Sequence, residues 1–211
     1  MRAVIILKNI NNIDKKLIDN SFIVGADRGA LNAIQHGILL DVSIGDFDSV
    51  NKEEFEIIKG HSKKIIQLNP IKDKTDTLEA LELVKDYDEI IILGGIKGNR
   101  IEHFYANLLL FNQYPNLKII DDNSLIYVEN KPFIPNQDYE FISFFSLDDN
   151  TSLTLEGFKY NLKNYNLKIS DPLCISNEII SNPKIIINNG KVLIIHSRAD
   201  YKNEWWIYIC R

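Results

Sequence analysis

Cysteine is almost absent from this chain. Cys174 and Cys210 are the only two in 211 residues. Their positions match neither a metal-ligand spacing nor a disulfide framework, so two ordinary reduced thiols are expected. Positive charge is not in excess either: 24 Lys and Arg against 29 Asp and Glu leave a net −5. General binding to nucleic acid wants a basic face, so no nucleic-acid partner is expected, although a local basic pocket is compatible with this balance. Long apolar runs are missing as well. None approaches the roughly 18 residues of a membrane span. The apolar run near Met1 is too short for a signal peptide. There is no internal repeat and no low-complexity linker. A cytoplasmic protein without a membrane partner is the expectation. What is present is a 45% apolar content, enough for a sizeable core in one large domain or two small ones.

The first part of the chain alternates between two periods. Strand-like runs cover Ala3–Leu7, Phe22–Ala26, Ile38–Ile44, Lys64–Leu68, Glu89–Leu93 and Lys118–Ile120. Between them lie helical stretches: Gly29 to about His36, a helix capped by Asn51 with Glu54 three residues on, Asp76–Lys85, and Ile101–Gln113. Strands that read as continuous apolar runs between helices imply an α/β domain, a mainly parallel sheet covered on both faces, over residues 1–122. After Asp122 the helical period disappears. Leu125–Glu129, Tyr139–Ser146, Ser152–Leu155, Asn161–Leu167, Lys184–Ile187, Val192–His196 and Trp205–Cys210 are short β-type runs. Asn188-Asn189-Gly190 predicts a hairpin between two of them. A second, all-β sandwich domain is expected over 123–211.

The polar residues of the first domain concentrate on one edge. In an open parallel sheet, ligands bind outside the carboxyl ends of the strands. The loop after the second strand carries Asp27, Arg28 and Gly29. The loop after the third carries Gly45-Asp46-Phe47-Asp48-Ser49. The loop after the fourth carries Lys72, Asp73, Lys74, Thr75 and Asp76. The loop after the fifth carries Gly94, Gly95, Lys97, Gly98 and Arg100, with Glu102 and His103 in the following helical turn. Asp46 and Asp48, at alternate positions of extended chain, face one point. Two convergent carboxylates repel unless a cation lies between them, and hard cations such as Mg²⁺ take oxygen ligands. Arginine meets phosphate as a planar fork. Glycines let backbone N–H groups approach a phosphate, and a helix start adds its positive end. The glycine spacing matches neither the P-loop nor the dinucleotide fingerprint. The edge therefore suits metal–polyphosphate chemistry. Plainer assignments exist for single residues. Asp76 could cap its helix with Glu79 closing a box, and His103 could be a hydrogen-bonded structural residue.

With these motifs assembled, the chain resembles the thiamine pyrophosphokinase family. The resemblance rests on Ala26-Asp27-x-Gly29-Ala30, Gly45-Asp46-Phe47-Asp48-Ser49, Asp73-x-Thr75-Asp76 and Gly95-x-x-Gly98-x-Arg100-x-Glu102-His103, in that order. Gly157-Phe158-Lys159-Tyr160-x-Leu162 and Ile175-Ser176-Asn177-Glu178 extend it into the β domain. It implies an α/β ATP-binding domain followed by a β-sandwich that binds thiamine and forms a homodimer. It also implies Mg²⁺-dependent transfer of the terminal pyrophosphoryl group of ATP to the thiamine hydroxyl, giving thiamine diphosphate and AMP. By position, Asp46, Asp48, Asp73 and Asp76 would hold metal. Asp46, Asp73, Arg100 and Glu102 would be catalytic. Asp27, Gly95, Gly98, Arg100 and His103 would bind ATP, and by their own charge Arg28, as an extra phosphate contact, and Lys74 are expected to join them. Ser176 and Asn177 would hold thiamine, against the partner's α/β domain. Trp205 and Trp206 are candidate platforms for the thiamine cation, at most one of them in contact, since consecutive strand residues face opposite ways.

Two positions depart from the family pattern, which has Gly at Arg28 and Asp at Glu102. If position 28 needed a positive φ, Arg there would be strained. At 102, one extra methylene displaces the carboxylate by roughly 1 Å, enough to cost about a hundredfold in rate if the group acts directly. Three alternatives stay open on the residues alone. One is a pyrophosphokinase for another small alcohol, such as a hydroxymethylpterin. Another is a nucleotide-sugar transferase using Asp46 and Asp48. The third is a nucleotide- or thiamine-binding protein without turnover.

Overall fold

The computed structural model describes residues 1–71, 73–98 and 100–199. The chain divides into two compact units, Met1–Asp122 and Asn123–Arg211. Lys72 and the expected strand at Trp205–Cys210, with Trp205 and Trp206, lie outside the described residues.

The first unit alternates strand and helix. Its strands are β1 (Arg2–Ile6), β2 (Ser21–Ala26), β3 (Leu40–Gly45), β4 (Ser62–Gln67), β5 (Glu89–Leu93) and β6 (Leu117–Ile120). Its helices are α1 (Lys15–Ile18), α2 (Arg28–Gln35), α3 (Lys52–Gly60), α4 (Asp76–Val84) and α5 (Ile101–Leu109), the last followed by a 3₁₀ turn at Leu110–Asn112. All strand pairings in this unit are parallel, in the order β4-β3-β2-β1-β5-β6. The sequence order reverses between β1 and β5. That reversal is the topological switch point, where the loops after two adjacent strands diverge and open a crevice.

Burial on both faces explains the unbroken apolar strands. Val4, Ile6, Ile91 and Leu93 pack with Ala30, Leu31 and Ala33 of α2 and Ile58 of α3 in one core cluster. Strand alternation sends Ile5, Ile90 and Ile92, each fully buried, to the opposite face. There α4 lies against β1, β2 and β3, burying Ala80, Leu81 and Val84. Each fully buried Val, Leu or Ile side chain here contributes roughly 1.5–3 kcal/mol relative to exposure. The capping box of α3 forms as expected. Asn51 Oδ1 accepts the Glu54 amide at 2.9 Å, and Glu54 Oε2 accepts the Asn51 amide at 2.9 Å. Asp76 is not a cap. Thr75 takes that role, its Oγ1 accepting the Leu78 amide at 3.2 Å, which places Asp76 in the first turn of α4.

The second unit contains two antiparallel sheets. One has the order β7 (Ser124–Glu129), β12 (Val192–Ser197), β8 (Phe141–Ser146); the other has β10 (Leu162–Leu167), β9 (Thr151–Phe158), β11 (Ile179–Asn189). Ile142, Phe144, Val192 and Ile194 of the first sheet pack with Leu153, Leu155, Leu167, Ile185 and Ile187 of the second, so the unit is a sandwich. The expected hairpin at Asn188-Asn189-Gly190 is corrected. Gly190 has the positive φ of a tight turn, +83°, but β11 pairs with β9 while β12 pairs with β7 and β8. The turn carries the chain from one sheet to the other. The strand seen in sequence at Lys184–Ile187 is also longer. Its register shifts between Ile179 and Lys184, a stretch holding Pro183, which has no amide to donate.

Candidate active site

The carboxyl edge of the first unit brings three acids together. Asp27, Asp46 and Asp48 each offer a carboxylate oxygen, and these oxygens lie within 4.8 Å of one another. How the chain achieves this differs from the expected extended spacing. Phe47, between the two acids, is left-handed, with φ +58°. Its ring is buried in the core and meets Phe55 at 5.0 Å between centroids. Asp46 Oδ1 accepts the Asp48 amide at 3.2 Å, an Asx turn. The two carboxylates converge because the chain folds back around a buried aromatic anchor.

Asp27 reaches this turn from β2 in a rare conformation, φ +48° and ψ −127°. A non-glycine residue there costs of order 1–3 kcal/mol. Neighbours over-determine it. The Asp27 amide donates to Ile44 O at 2.8 Å, and Ser49 Oγ donates to Asp27 Oδ2 at 2.8 Å. A Cβ on Gly45 would meet Asp27 Cα at 3.0 Å, so only glycine at 45 lets the two loops approach this closely. Asp27 Oδ1 is buried without a hydrogen-bond partner among the described residues. An acceptor held dry beside two further carboxylates fits a hard cation. The Asp46 carboxylate, with burial and then Asp27 and Asp76 adding, pushes Asp48 above the usual carboxylate range.

Arg28 is not left-handed, so it carries no such strain; the positive φ falls one residue earlier, on Asp27. Arg28 begins α2 and clamps the acidic turn from outside. Its Nη1 donates to Ser49 O at 2.6 Å and its Nη2 to Glu54 Oε1 at 3.3 Å. Asp73 is exposed and lies outside the carboxylate trio, whereas Asp76 is close enough to act on Asp48. Lys74 is committed to the flank of α4, where Nζ meets both carboxylate oxygens of Glu82 at 2.7 and 2.8 Å.

The glycine-rich loop follows β5 at the switch point. Gly94 and Gly95 have φ of +88° and +81°. A Cβ on Gly95 would meet Leu7 Cδ1 at 2.7 Å. The Gly95 carbonyl accepts from Asn107 Nδ2 at 3.0 Å, which ties the loop to α5. Gly98 is exposed. Arg100 stands at the cap position of α5, exposed and, among the described residues, making no side-chain capping bond. Glu102 and His103 are exposed in the first turn. The positive end of α5 and an exposed guanidinium thus share this edge.

In the second unit, Ser176 and Asn177 separate in role. Ser176 is exposed with φ +52°. Asn177 is buried, 2% exposed. Its Oδ1 accepts the amides of Tyr160 and Glu178, both at 3.0 Å, and its Nδ2 donates to Tyr160 O at 2.7 Å. That side chain shapes the loop. One group escaped the sequence reading altogether, the uncharged Asn9-Ile10-Asn11-Asn12 after β1. Asn9 Nδ2 donates to Lys97 O at 3.1 Å, and Asp122 receives the amides of Asn11 and Asn12 at 3.1 and 3.0 Å. A search for charged loops passes over asparagines. Only the order β1-β5 marks them.

The chain matches two family models in tandem. Residues 13–120 match the thiamin pyrophosphokinase catalytic domain, and residues 133–194 match the thiamin pyrophosphokinase vitamin B1 binding domain. It is 32% identical over 186 residues to a thiamine pyrophosphokinase of Bacillus subtilis, covering 82% of this chain and 86% of that protein. The crystal structure of the thiamine pyrophosphokinase from Bacillus subtilis superposes with a TM-score of 0.80 at 27% identity, covering 94% of this chain and 99% of that one. A thiamin pyrophosphokinase family protein from Enterococcus faecalis gives 0.79 at 26% identity, covering 94% and 99%. Sequence, fold and the ordered loops of the carboxyl edge agree: the chain belongs to the thiamine pyrophosphokinase family.

Proposed function

We propose that this chain transfers the terminal pyrophosphoryl group of ATP to the hydroxyl of thiamine, giving thiamine diphosphate and AMP. The observation that carries the reading is the convergence of Asp27, Asp46 and Asp48 within 4.8 Å, on the edge where the glycine loop and α5 also open. Family membership supports the substrates.

Asp27, Asp46 and Asp48, with Asp76 close by, would hold Mg²⁺. The dry Oδ1 of Asp27 supports adding that residue to the expected set. Bound there, the ion would neutralise charge on the polyphosphate. Around it the chain's own groups position the reactants. Backbone amides of the Gly95–Gly98 loop and the start of α5 receive phosphate oxygens. Arg100 grips the triphosphate, and His103 lies one turn behind it. The thiamine oxygen attacks the β-phosphorus in line, its proton passes to a carboxylate, Asp73 or Glu102, and AMP leaves. Positioning and electrostatics supply most of the acceleration. Ser176 contacts thiamine, and Asn177 fixes the backbone that presents it. Lys74 and Arg28 serve ATP from their present partners, Glu82 and Ser49. The reading includes a homodimer, measurable by sedimentation, and a cytoplasmic setting.

Metal dependence tests it. Protein stripped with EDTA makes no thiamine diphosphate, and added Mg²⁺ restores production. Undiminished turnover after stripping would overturn the metal assignment.

A further inference from the structure

We propose that Asp122, acting with Asn9, is a positioning residue that holds the glycine loop after β5 in the shape that receives the nucleotide. This rests on the reading above that the loop binds ATP phosphates. Neither residue belongs to the acidic edge motifs, and both belong to the first unit.

The argument starts from the number of donors gathered on one carboxylate. The Asp122 side chain is only 10% exposed. Its Oδ1 accepts the amides of Asn11 at 3.1 Å and Asn12 at 3.0 Å. Its Oδ2 accepts Asn11 Nδ2 at 2.7 Å and Lys97 Nζ at 3.3 Å. Four donors on a nearly buried carboxylate hold its ionised form, and its pKa falls below the ordinary carboxylate range through those bonds, against burial. The same carboxylate therefore joins the loop after β1 to the loop after β5. Asn9 adds a second tie. Its side chain donates to the Lys97 carbonyl at 3.1 Å, and its own φ of +67° turns the β1 loop toward it. Lys97 is thus gripped at its backbone by Asn9 and at its ammonium by Asp122. On the far side, His36 Nε2 lies 3.0 Å from Asn11 O, anchoring the β1 loop to α2.

The location gives the device a purpose. β1 and β5 are neighbours in the sheet and flank the switch point, where a parallel sheet opens its crevice. The loop held there contains Gly94 and Gly95 at positive φ, with little intrinsic restraint of its own. A flexible phosphate loop binds weakly unless something orders it beforehand. The carboxylate hub and the asparagine supply that order from outside the ligand's footprint.

The test uses the full chain and measures binding of a non-hydrolysable ATP analogue with Mg²⁺, alongside steady-state kinetics. Asp122→Ala is expected to weaken the analogue about tenfold and to raise KM for ATP by a similar factor, a loss of about 1.4 kcal/mol. kcat and KM for thiamine stay within about twofold, because positioning of the nucleotide alone is lost. Asp122→Asn keeps one acceptor for the loop amides and falls between. Lys97→Arg retains the pair and binds like wild type, while Lys97→Ala does not. Asn9→Ala combined with Asp122→Ala loses less than the product of the two, since both hold one loop. If Asp122→Ala fails to fold, Asp122→Asn and Asn9→Ala carry the same comparison. Unchanged analogue affinity and KM for ATP in these variants, whatever happens to their melting temperatures, overturns the proposal. A wild type that binds the analogue, with Asp122→Asn weakened, but forms no AMP from ATP and thiamine would sink the reaction and leave the positioning role standing. Turnover with unaltered binding in the variants does the reverse. A wild type that binds no nucleotide overturns both.

Discussion

His196 should make the second unit sensitive to acid, and the size of the effect can be worked out. The residue lies on β12, 1% exposed. Its Nε2 sits 3.1 Å from Tyr127 Oη. Its ring stacks on Tyr127 with centroids 5.7 Å apart and meets Tyr139 at 5.4 Å. Burial among these rings pushes its pKa down from 6.5 to about 4. Burial also pushes the Tyr127 phenol up, so the phenol keeps its proton beside the neutral ring. The sign follows. On acidification the unfolded chain takes the proton near pH 6.5, the folded chain only near 4. The stability held by the neutral ring is complete above pH 6.5, falls between 6.5 and 4, and levels off below. At about pH 4.5 the loss is roughly 2–3 kcal/mol at 1.36 kcal/mol per pH unit. His196→Gln keeps a polar partner for the tyrosine and removes the titration. Urea unfolding of both proteins near pH 7 and pH 4.5 cancels the carboxylates they share. Wild type should lose roughly 2–3 kcal/mol more than the variant. Parallel pH profiles would refute the reasoning.

Other expectations follow from single contacts. Asp46→Asn should cut turnover by roughly two to three orders of magnitude, as for a lost preorganised electrostatic group, with an unchanged far-ultraviolet spectrum; near-normal turnover would remove Asp46 from the site. Arg100→Ala should raise KM for ATP by about 10- to 100-fold, the worth of charge-assisted bonds. Lys74→Ala should raise it by a smaller factor, about three- to tenfold, because the lysine leaves its exposed pair with Glu82 to meet the phosphates and gains only the difference. Asn51→Ala removes one half of the capping box and should lower unfolding free energy by about 1 kcal/mol with kinetics intact.

The sequence announced the first unit well because its strands are buried on both faces and its helices carry caps. Asn51 and Glu54 are a local signal, and the structure honours it. The single-turn α1 escaped, being too short to show a period. The acidic edge was legible as composition but not as geometry. Nothing in Gly-Asp-Phe-Asp-Ser says that Phe47 turns left-handed to bury its ring, or that Asp27 accepts a strained backbone to join the pair. Those follow from Gly45 admitting the Asp27 backbone at contact distance. Asp73 and Asp76 looked equivalent on paper, yet the Thr75 cap puts one on the helix and leaves the other on the loop. Asn9 and Asp122 were silent because their meaning depends on β1 lying beside β5, a non-local fact. The turn at Asn188-Asn189-Gly190 showed the same limit in the second unit: local chemistry fixed a tight turn, while packing decided which sheets it joins.

The central claim is the reaction at the acidic edge, and nucleotide analysis tests it most directly. The protein is incubated with ATP, Mg²⁺ and thiamine, and the products are resolved. The account predicts AMP appearing one-for-one with thiamine diphosphate. ADP in place of AMP would mean transfer of a single phosphoryl group, and it would contradict attack at the β-phosphorus.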